Sequence, residues 1–261
     1  MYLLYTDETS IDPANAEFFA YGGVIIPGDT ASALSARIDQ IRESFNYGPN
    51  DELKFNTRDR PGHITPAQHL EIKRAVMAAS EQAHVKFLSS VILHKLATNM
   101  ETARRNEINR VCLSFNYELS ECQDYGVVLL DSFSEPDLPA FLREKFNRGC
   151  VGMPYGTVRL DRILGFHLAS IGSSNFTSVV DVILGAFRYL INALAKPAQA
   201  EVSRVLADQL SPLMIRSPHS GNISERSIFF SPREVRVPSY QQKYTELCVF
   251  LTAQGLNRVL T

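Results

Sequence analysis

The chain has 261 residues, 45% of them hydrophobic, with 26 basic and 28 acidic side chains and a formal charge of −2. That length and apolar content can fill a sizeable core in one large domain or two small ones, and the near-neutral balance excludes a protein drawn to polyanions by its net field. A polyanionic partner would need a local basic surface.

Taken in chain order, residues 2–6 and 18–26 are rich in β-branched, aromatic and aliphatic side chains with turn formers between them, which predicts an opening strand pair. The first apolar stretch is short, has no basic lead and meets Asp7-Glu8 at once, so it is not expected to be a secretory signal, and no run approaches the length of a membrane span. Over 30–45, Leu34, Ile38 and Ile41 recur at helical spacing, with Thr30 or Ser32 as N-caps. Residues 52–55 alternate polar and apolar side chains, predicting a short extended piece before the turn-rich 56–62. A helix then starts near Thr65, with Pro66 at its first position and Leu70, Ile72, Val76 and Met77 on its apolar side.

A strand over 85–93, a long helix over 99–123, a strand over 125–130, a short helix over 138–146 capped by Asp137, a strand over 158–166 and an apolar helix over 176–194 complete residues 1–196. The tail 197–261 predicts a helical and loop extension packed on the same domain: a helix over 201–210, Ser-Pro-rich loops with an extended piece at 228–230, and a closing helix over 241–256. Strands alternating with helices predict an α/β fold. The four cysteines, Cys112, Cys122, Cys150 and Cys248, form no Cys-x-x-Cys pair, which argues against a disulfide framework or zinc knuckle and predicts thiols in a reducing cytoplasm.

Three aspartates stand against apolar runs: Asp7 after Tyr2-Leu3-Leu4-Tyr5, Asp131 after Val127-Val128-Leu129-Leu130, and Asp181 inside Val179-Val180-Asp181-Val182-Ile183-Leu184. A carboxylate among residues that are being buried is costly unless a cation or donor meets it, so three of them suggest a shared partner. In an open α/β sheet the strand ends gather where ligands bind, and oxygen-only ligands favour a hard ion, Mg2+ or Mn2+ rather than zinc. Such ions can activate water and stabilise the leaving oxygen of a phosphodiester, which suits a chain with no Gly-x-Ser-x-Gly elbow, no His-Glu-x-x-His pair and no Walker-type loop.

The blocks Leu4-Tyr5-Thr6-Asp7-Glu8-Thr9, Gly22-Gly23-Val24, Glu52-Leu53-Lys54-Phe55, Val128-Val-Leu-Leu-Asp131 and Val180-Asp181-Val-Ile-Leu-Gly185-Ala186 resemble, in order, those of family 3800 of domains of unknown function. The resemblance covers about the first 195 residues. It implies a ribonuclease H-like mixed sheet flanked by helices, with Asp7, Glu52, Asp131 and Asp181 at the acidic metal-holding positions and Glu8 and Lys54 beside them. The chain departs from the family at Thr9-Ser10, where Ser-Gly is usual, and at Ser178 and Val180, where Gln and Ala are usual.

Each acid also has a plainer explanation. Asp7 could cap a strand-end turn, Asp131 could open a turn at Ser132, Asp181 could pair with Arg159, Arg162 or Arg188, and Glu52 could lie on a solvated surface. Lys54, Arg58 and Arg60 could meet phosphate, whereas Arg104, Arg105 and Arg110 read as a solvated helix face, and His63, His94 and His167 each read more readily as structural than as a base. The aromatics Phe18, Phe19 and Tyr21 read as core rather than as a stacking platform. The function expected is a metal-dependent nuclease, or related phosphoryl-transfer enzyme, of two-metal type, with Asp7, Glu52, Asp131, Asp181 and Lys54 as its machinery and RNA or DNA as its partner. The alternatives are a non-catalytic nucleic-acid-binding or regulatory protein on the same scaffold and a small-phosphoester hydrolase.

Overall fold

Nine of the ten residues of the second strand are buried, so the sheet it belongs to must be covered on both faces. The computed structural model describes residues 1–9, 16–97, 99–131, 137–152, 156–170, 172–194 and 196–257; Ser10 and Ser132 lie outside them. In chain order the elements are β1 (Tyr2–Glu8), β2 (Phe18–Pro27), α1 (Gly28–Ser44), α2 (Pro66–Gln82), β3 (Lys86–Leu93), α3 (Met100–Glu121), β4 (Gly126–Asp131), α4 (Leu138–Arg148), β5 (Cys150–Gly152), β6 (Gly156–Val158), β7 (Ile163–Ala169), α5 (Asn175–Ile191), α6 (Ala200–Leu210), β8 (Ile228–Ser231) and α7 (Pro238–Ala253).

The result is an α/β fold with a mixed six-stranded sheet in the order β7-β4-β1-β2-β3-β8, flanked by the seven helices. β1 to β3 form an antiparallel meander, while β4, β7 and β8 join parallel to their neighbours. Strand alternation sorts the side chains. Tyr5, Phe18, Ala20, Val24 and Phe87 face the core built with α1, α2, α5, α6 and α7, whereas Leu4, Phe19, Tyr21, Leu88 and Val128 face α3 and α4.

The helix beginning at Pro66 carries the expected start: Thr65 and Gln68 form a reciprocal capping box. α1 differs. It begins at Gly28 with Pro27 in the cap position and no side-chain cap. Thr30 instead donates to the Ala83 carbonyl at 2.8 Å, tying the start of α1 to the end of α2. Residues 52–55 form no strand: Leu53 is fully buried, but the backbone runs as a loop along α2 and α5. The strand expected over 158–166 is replaced by β6 and β7, with a turn between them. Residues 228–231 form the sixth strand of the main sheet, paired parallel with β3. No helix among the described residues is long and apolar enough to cross a membrane.

The C-terminal helix is fastened to the sheet by one phenol. The Tyr244 hydroxyl accepts from the Leu93 N–H at 2.7 Å and donates to the Ser231 carbonyl at 2.6 Å, linking α7 to β3 and β8. Beneath it the buried Glu107 carboxyl accepts from Ser90 and Ser231, and burial pushes its pKa up. Tyr244→Phe leaves two buried backbone groups without this partner and should lower stability by about 1–3 kcal/mol. Urea denaturation with an unchanged m-value checks this; a variant as stable as the parent would show that α7 is held by apolar packing alone.

Candidate functional site

β1 and β4 run parallel in a register that pairs Tyr2 with Gly126 and Thr6 with Leu130, so the next residue on each strand is an aspartate. Neighbouring strands lie about 4.8 Å apart, and the two-residue alternation sends Asp7 and Asp131 to the face shared by Tyr5 and Leu129. α5 packs on that face and carries Asp181 in its second turn. Across the ladder, Asp7 sits opposite Gly22, where an added Cβ would come within 3.0 Å of the Leu184 side chain; glycine lets α5 approach the sheet beside the acids.

Asp7 and Asp131 line one cavity of about 20 Å³, walled by Leu129, Ala169, Thr177 and Val180. A single water requires roughly 10–15 Å³. The space therefore suits one small ligand and cannot admit a nucleotide. A much larger cavity of about 690 Å³ lies elsewhere, between β8, the chain that follows it and α7, and none of the three acids lines it.

The electrostatics tie the three together. Burial pushes the Asp7 carboxyl up to about 7, and the charges of Asp181 and then Asp131 push the same way, against a hydrogen bond from the Glu8 N–H. Asp181 is also raised by burial, with the Phe55 N–H, Arg188 and Lys54 opposing. The Asp181 Oδ2 accepts that N–H at 2.5 Å, and Asp181 forms no ion pair among the described residues. Of the arginines considered as partners, Arg159 meets Asp161 and Arg162 lies over the Tyr125 ring; Arg188 acts on Asp181 only as a nearby charge.

The loop that supplies the Phe55 N–H is set by two helices. His69 and Lys73, one turn apart on α2, grip its backbone: His69 Nε2 donates to the Lys54 carbonyl at 2.9 Å and Lys73 Nζ donates to the Phe55 carbonyl at 3.1 Å. Burial lowers the pKa of both. Lys73 also sits 4.4 Å above the centroid of the Phe55 ring. On the other side, a Cβ at Gly185 would stand 2.4 Å from the Phe55 Cβ, so only glycine allows this contact without a shift. His69 and Lys73 were not legible as site residues; the only signal was their i, i+4 spacing on a well-capped helix.

Glu52 lies on the same loop, ion-paired to Lys54 at 2.7 Å. That hydrogen bond raises the Lys54 pKa, as does the charge of Asp181, so Glu52 reaches the aspartates through a cation rather than carboxylate to carboxylate. Glu8, next to Asp7, is ion-paired with Arg104. Arg104, expected on a solvated face, is largely buried by this contact, while Arg105 pairs with Glu101 and Arg110 lies over Phe229. Arg60 donates to the Ile64 and Thr57 carbonyls and so shapes the loop.

Asp7, Asp131 and Asp181 offer only oxygen donors, the chemistry a hard divalent ion prefers. Asp7 and Asp131 share the lining of the small cavity, and Asp181 lies outside that lining, its charge acting on Asp7. As the side chains stand, no three His, Cys, Asp or Glu groups among the described residues are gathered closely enough to hold one ion together. No protein-family model matches the chain, and no curated protein matches it in sequence.

A carboxyl whose pKa is raised by folding holds its proton more tightly in the native state. Its stabilising effect is full below the ordinary value of 3.8 and disappears as pH rises through about 7. In chelator, stability should therefore fall between about pH 4 and pH 7. Asp7→Asn, which cannot ionise, should flatten the fall and exceed the parent by on the order of 2–4 kcal/mol at pH 8. Denaturation across this range is the check, and parallel profiles for parent and variant would refute the shift. Gly185→Ala should displace the 52–55 loop and lose about 1–3 kcal/mol.

Proposed function

We propose that the protein is a metal-dependent nuclease, or a related phosphoryl-transfer enzyme, on a ribonuclease H-like fold. The observation that carries this reading is the meeting of Asp7 and Asp131 in one small cavity, with the field of Asp181 acting on Asp7. The mixed sheet, with its antiparallel β1–β3 meander continued by parallel β4, supports the fold assignment, as does the succession of blocks that resembles the family. Asp7 and Asp131 would hold Mg2+ or Mn2+, Asp181 would complete the oxygen set, and Glu52 would act from the rim through Lys54. When bound, such an ion supplies Lewis-acid stabilisation of a phosphoryl oxygen and lowers the pKa of water.

The chain's own groups prepare the site for that role. With its pKa near 7, Asp7 carries a proton about half the time at neutral pH, and that proton must leave its carboxyl before it can serve as an anionic ligand. The Phe55 N–H fixes one oxygen of Asp181. Lys54, held by Glu52 and within the field of Asp181, can orient a phosphate oxygen near the acids. The apolar walls supplied by Leu129, Ala169 and Val180 limit water around them.

A second reading is favoured by the lack, among the described residues, of a three-residue cluster close enough to hold an ion, and by the Glu52–Lys54 pair: a non-catalytic nucleic-acid-binding or regulatory protein on the same scaffold. Purified protein with Mn2+ or Mg2+ and end-labelled RNA, DNA and hybrid strands separates the two. The nuclease reading expects cleavage that chelator abolishes and that Asp131→Ala reduces more than about 100-fold, equivalent to about 2.7 kcal/mol, with the fold retained by circular dichroism. Strands bound but left intact under all metal conditions would establish the second reading, and turnover of a small phosphoester without strand cleavage would replace both with a phosphoester hydrolase.

A further inference from the structure

Two cavities meet beside α5, further along the helix from Asp181. One, of about 280 Å³, is lined by Arg58, Arg188 and Lys196 together with Asn56 and Tyr189. The other, of about 330 Å³, shares Asn56, Arg58, Arg188 and Tyr189 and adds Lys73 and Arg74. Together they gather five cations, and among the described residues no carboxylate lines either cavity. In a chain with more acids than bases, a random surface would mix the signs.

None of Arg58, Arg74, Arg188 and Lys196 forms an ion pair with a described carboxylate; Asp59, the acid closest in sequence to Arg58, is hydrogen-bonded to the Asn56 amide. Like charges brought together without counter-ions raise the free energy of the folded protein, and an anion would relieve that cost. Tyr189, which lines both cavities, carries its phenolic proton at neutral pH as any tyrosine does, so it can donate to such an anion.

The second cavity has a different floor. Leu70 and Val202 are 42% and 48% exposed there, beside Met77 and the Phe55 ring. Apolar surface beside a row of cations matches a nucleotide strand, which presents bases to one side and phosphates to the other. Arg188 follows Asp181 by seven residues, two helical turns or about 10 Å along the same face of α5. At about 3.4 Å per stacked nucleotide, that is about three nucleotides.

We propose that the paired cavities around Arg58, Arg188 and Lys196 form a single-stranded nucleic-acid track, binding phosphates at the cations and bases over Leu70 and Val202, and leading the strand to the acids. The assignment rests on the nuclease reading and gives its substrate a path. The recognised chemistry is phosphate, and the apolar floor distinguishes a polymer from a free phosphate.

The test uses the full chain in chelator, so that metal binding plays no part. Anisotropy of fluorescein-labelled oligo-dT and oligo-U, titrated at several salt concentrations, reads affinity and its salt slope. Arg58→Ala combined with Lys196→Ala, both exposed positions, should weaken binding on the order of tenfold at low salt and reduce the slope of log K against log salt by about 1.4, while Arg37→Ala on α1 changes neither. Val202→Ser, which removes apolar surface without adding charge, should weaken the strand while leaving inorganic pyrophosphate binding unchanged. Unaltered affinity and slope in the double variant, no strand binding by the parent, or pyrophosphate binding as tightly as the strand would each overturn the track. A strand bound through these residues but never cleaved with metal would sink the nuclease reading and leave the track standing. Metal-dependent cleavage that is indifferent to the double variant would do the reverse.

Discussion

The burial of carboxylates at the ends of two adjacent parallel strands is the constraint around which this molecule is arranged. Asp7 follows residues buried on both faces of β1, Asp131 follows a strand buried on one face and half-buried on the other, and the parallel register of β1 and β4 keeps the two positions adjacent. Removing a carboxylate from water opposes folding, and the rise of the Asp7 pKa to about 7 expresses that desolvation first, with the charges of Asp181 and then Asp131 adding to it. A fold concerned with stability alone would place an arginine between them or replace them with apolar residues of similar size. Here α5 adds a third acid instead. The surrounding core, with Ile183, Leu184, Phe187 and Phe87 packed between helix and sheet, supplies the stability that tolerates the arrangement.

The supporting structure is asymmetric in a way that follows from this constraint. On the α5 side the carboxylates are approached by backbone and by small residues: Gly22 lets the helix close on the sheet, and Gly185 lets the 52–55 loop place its N–H on Asp181. On the opposite face the neighbouring acid, Glu8, is neutralised by Arg104 from α3. One face of β1 therefore carries an ion pair, and the other faces acids whose charges act on one another. The second is the side on which a cation would lower the free energy.

Much of this was legible because local patterns coincide with long-range ones. The apolar runs ending in Asp7 and Asp131 were readable as strands whose acids lie at their ends, and Pro66 after Thr65 announced the start of α2, where the structure adds the Thr65–Gln68 capping box. The Glu52–Phe55 segment shows the limit. Its alternation imitates a strand, yet its backbone bonds go to His69, Lys73 and Asp181, residues 15 to 126 positions away, and no window of sequence contains that competition. β8 was harder still: four residues in a proline-rich tail become a sheet strand because the edge of β3 needs a parallel partner, and Tyr244 closes over the junction. Asp181 was readable as an acid out of place, but its partner could not be chosen among three arginines, since all three bonded elsewhere or stayed at a distance.

A net charge of −2 conceals how far the charges have been sorted. Asp7 and Asp131 line a cavity of about 20 Å³ at the end of β1 and β4, and five cations line open cavities further along α5. Screening reduces fields between exposed groups over about 10 Å, comparable to the separation of Asp181 and Arg188 along α5, so each patch retains its own sign toward a ligand that touches it. The small cavity is too tight for anything beyond an ion or a water, and the cation-lined cavities are too open to position one. The two demands of phosphodiester chemistry, close coordination at the reacting phosphorus and loose electrostatic hold on the rest of the strand, would then fall on separate surfaces joined by a single rigid helix. Rotation of α5 would disturb both at once, which makes its packing through Gly22 and Gly185 the mechanical link between them.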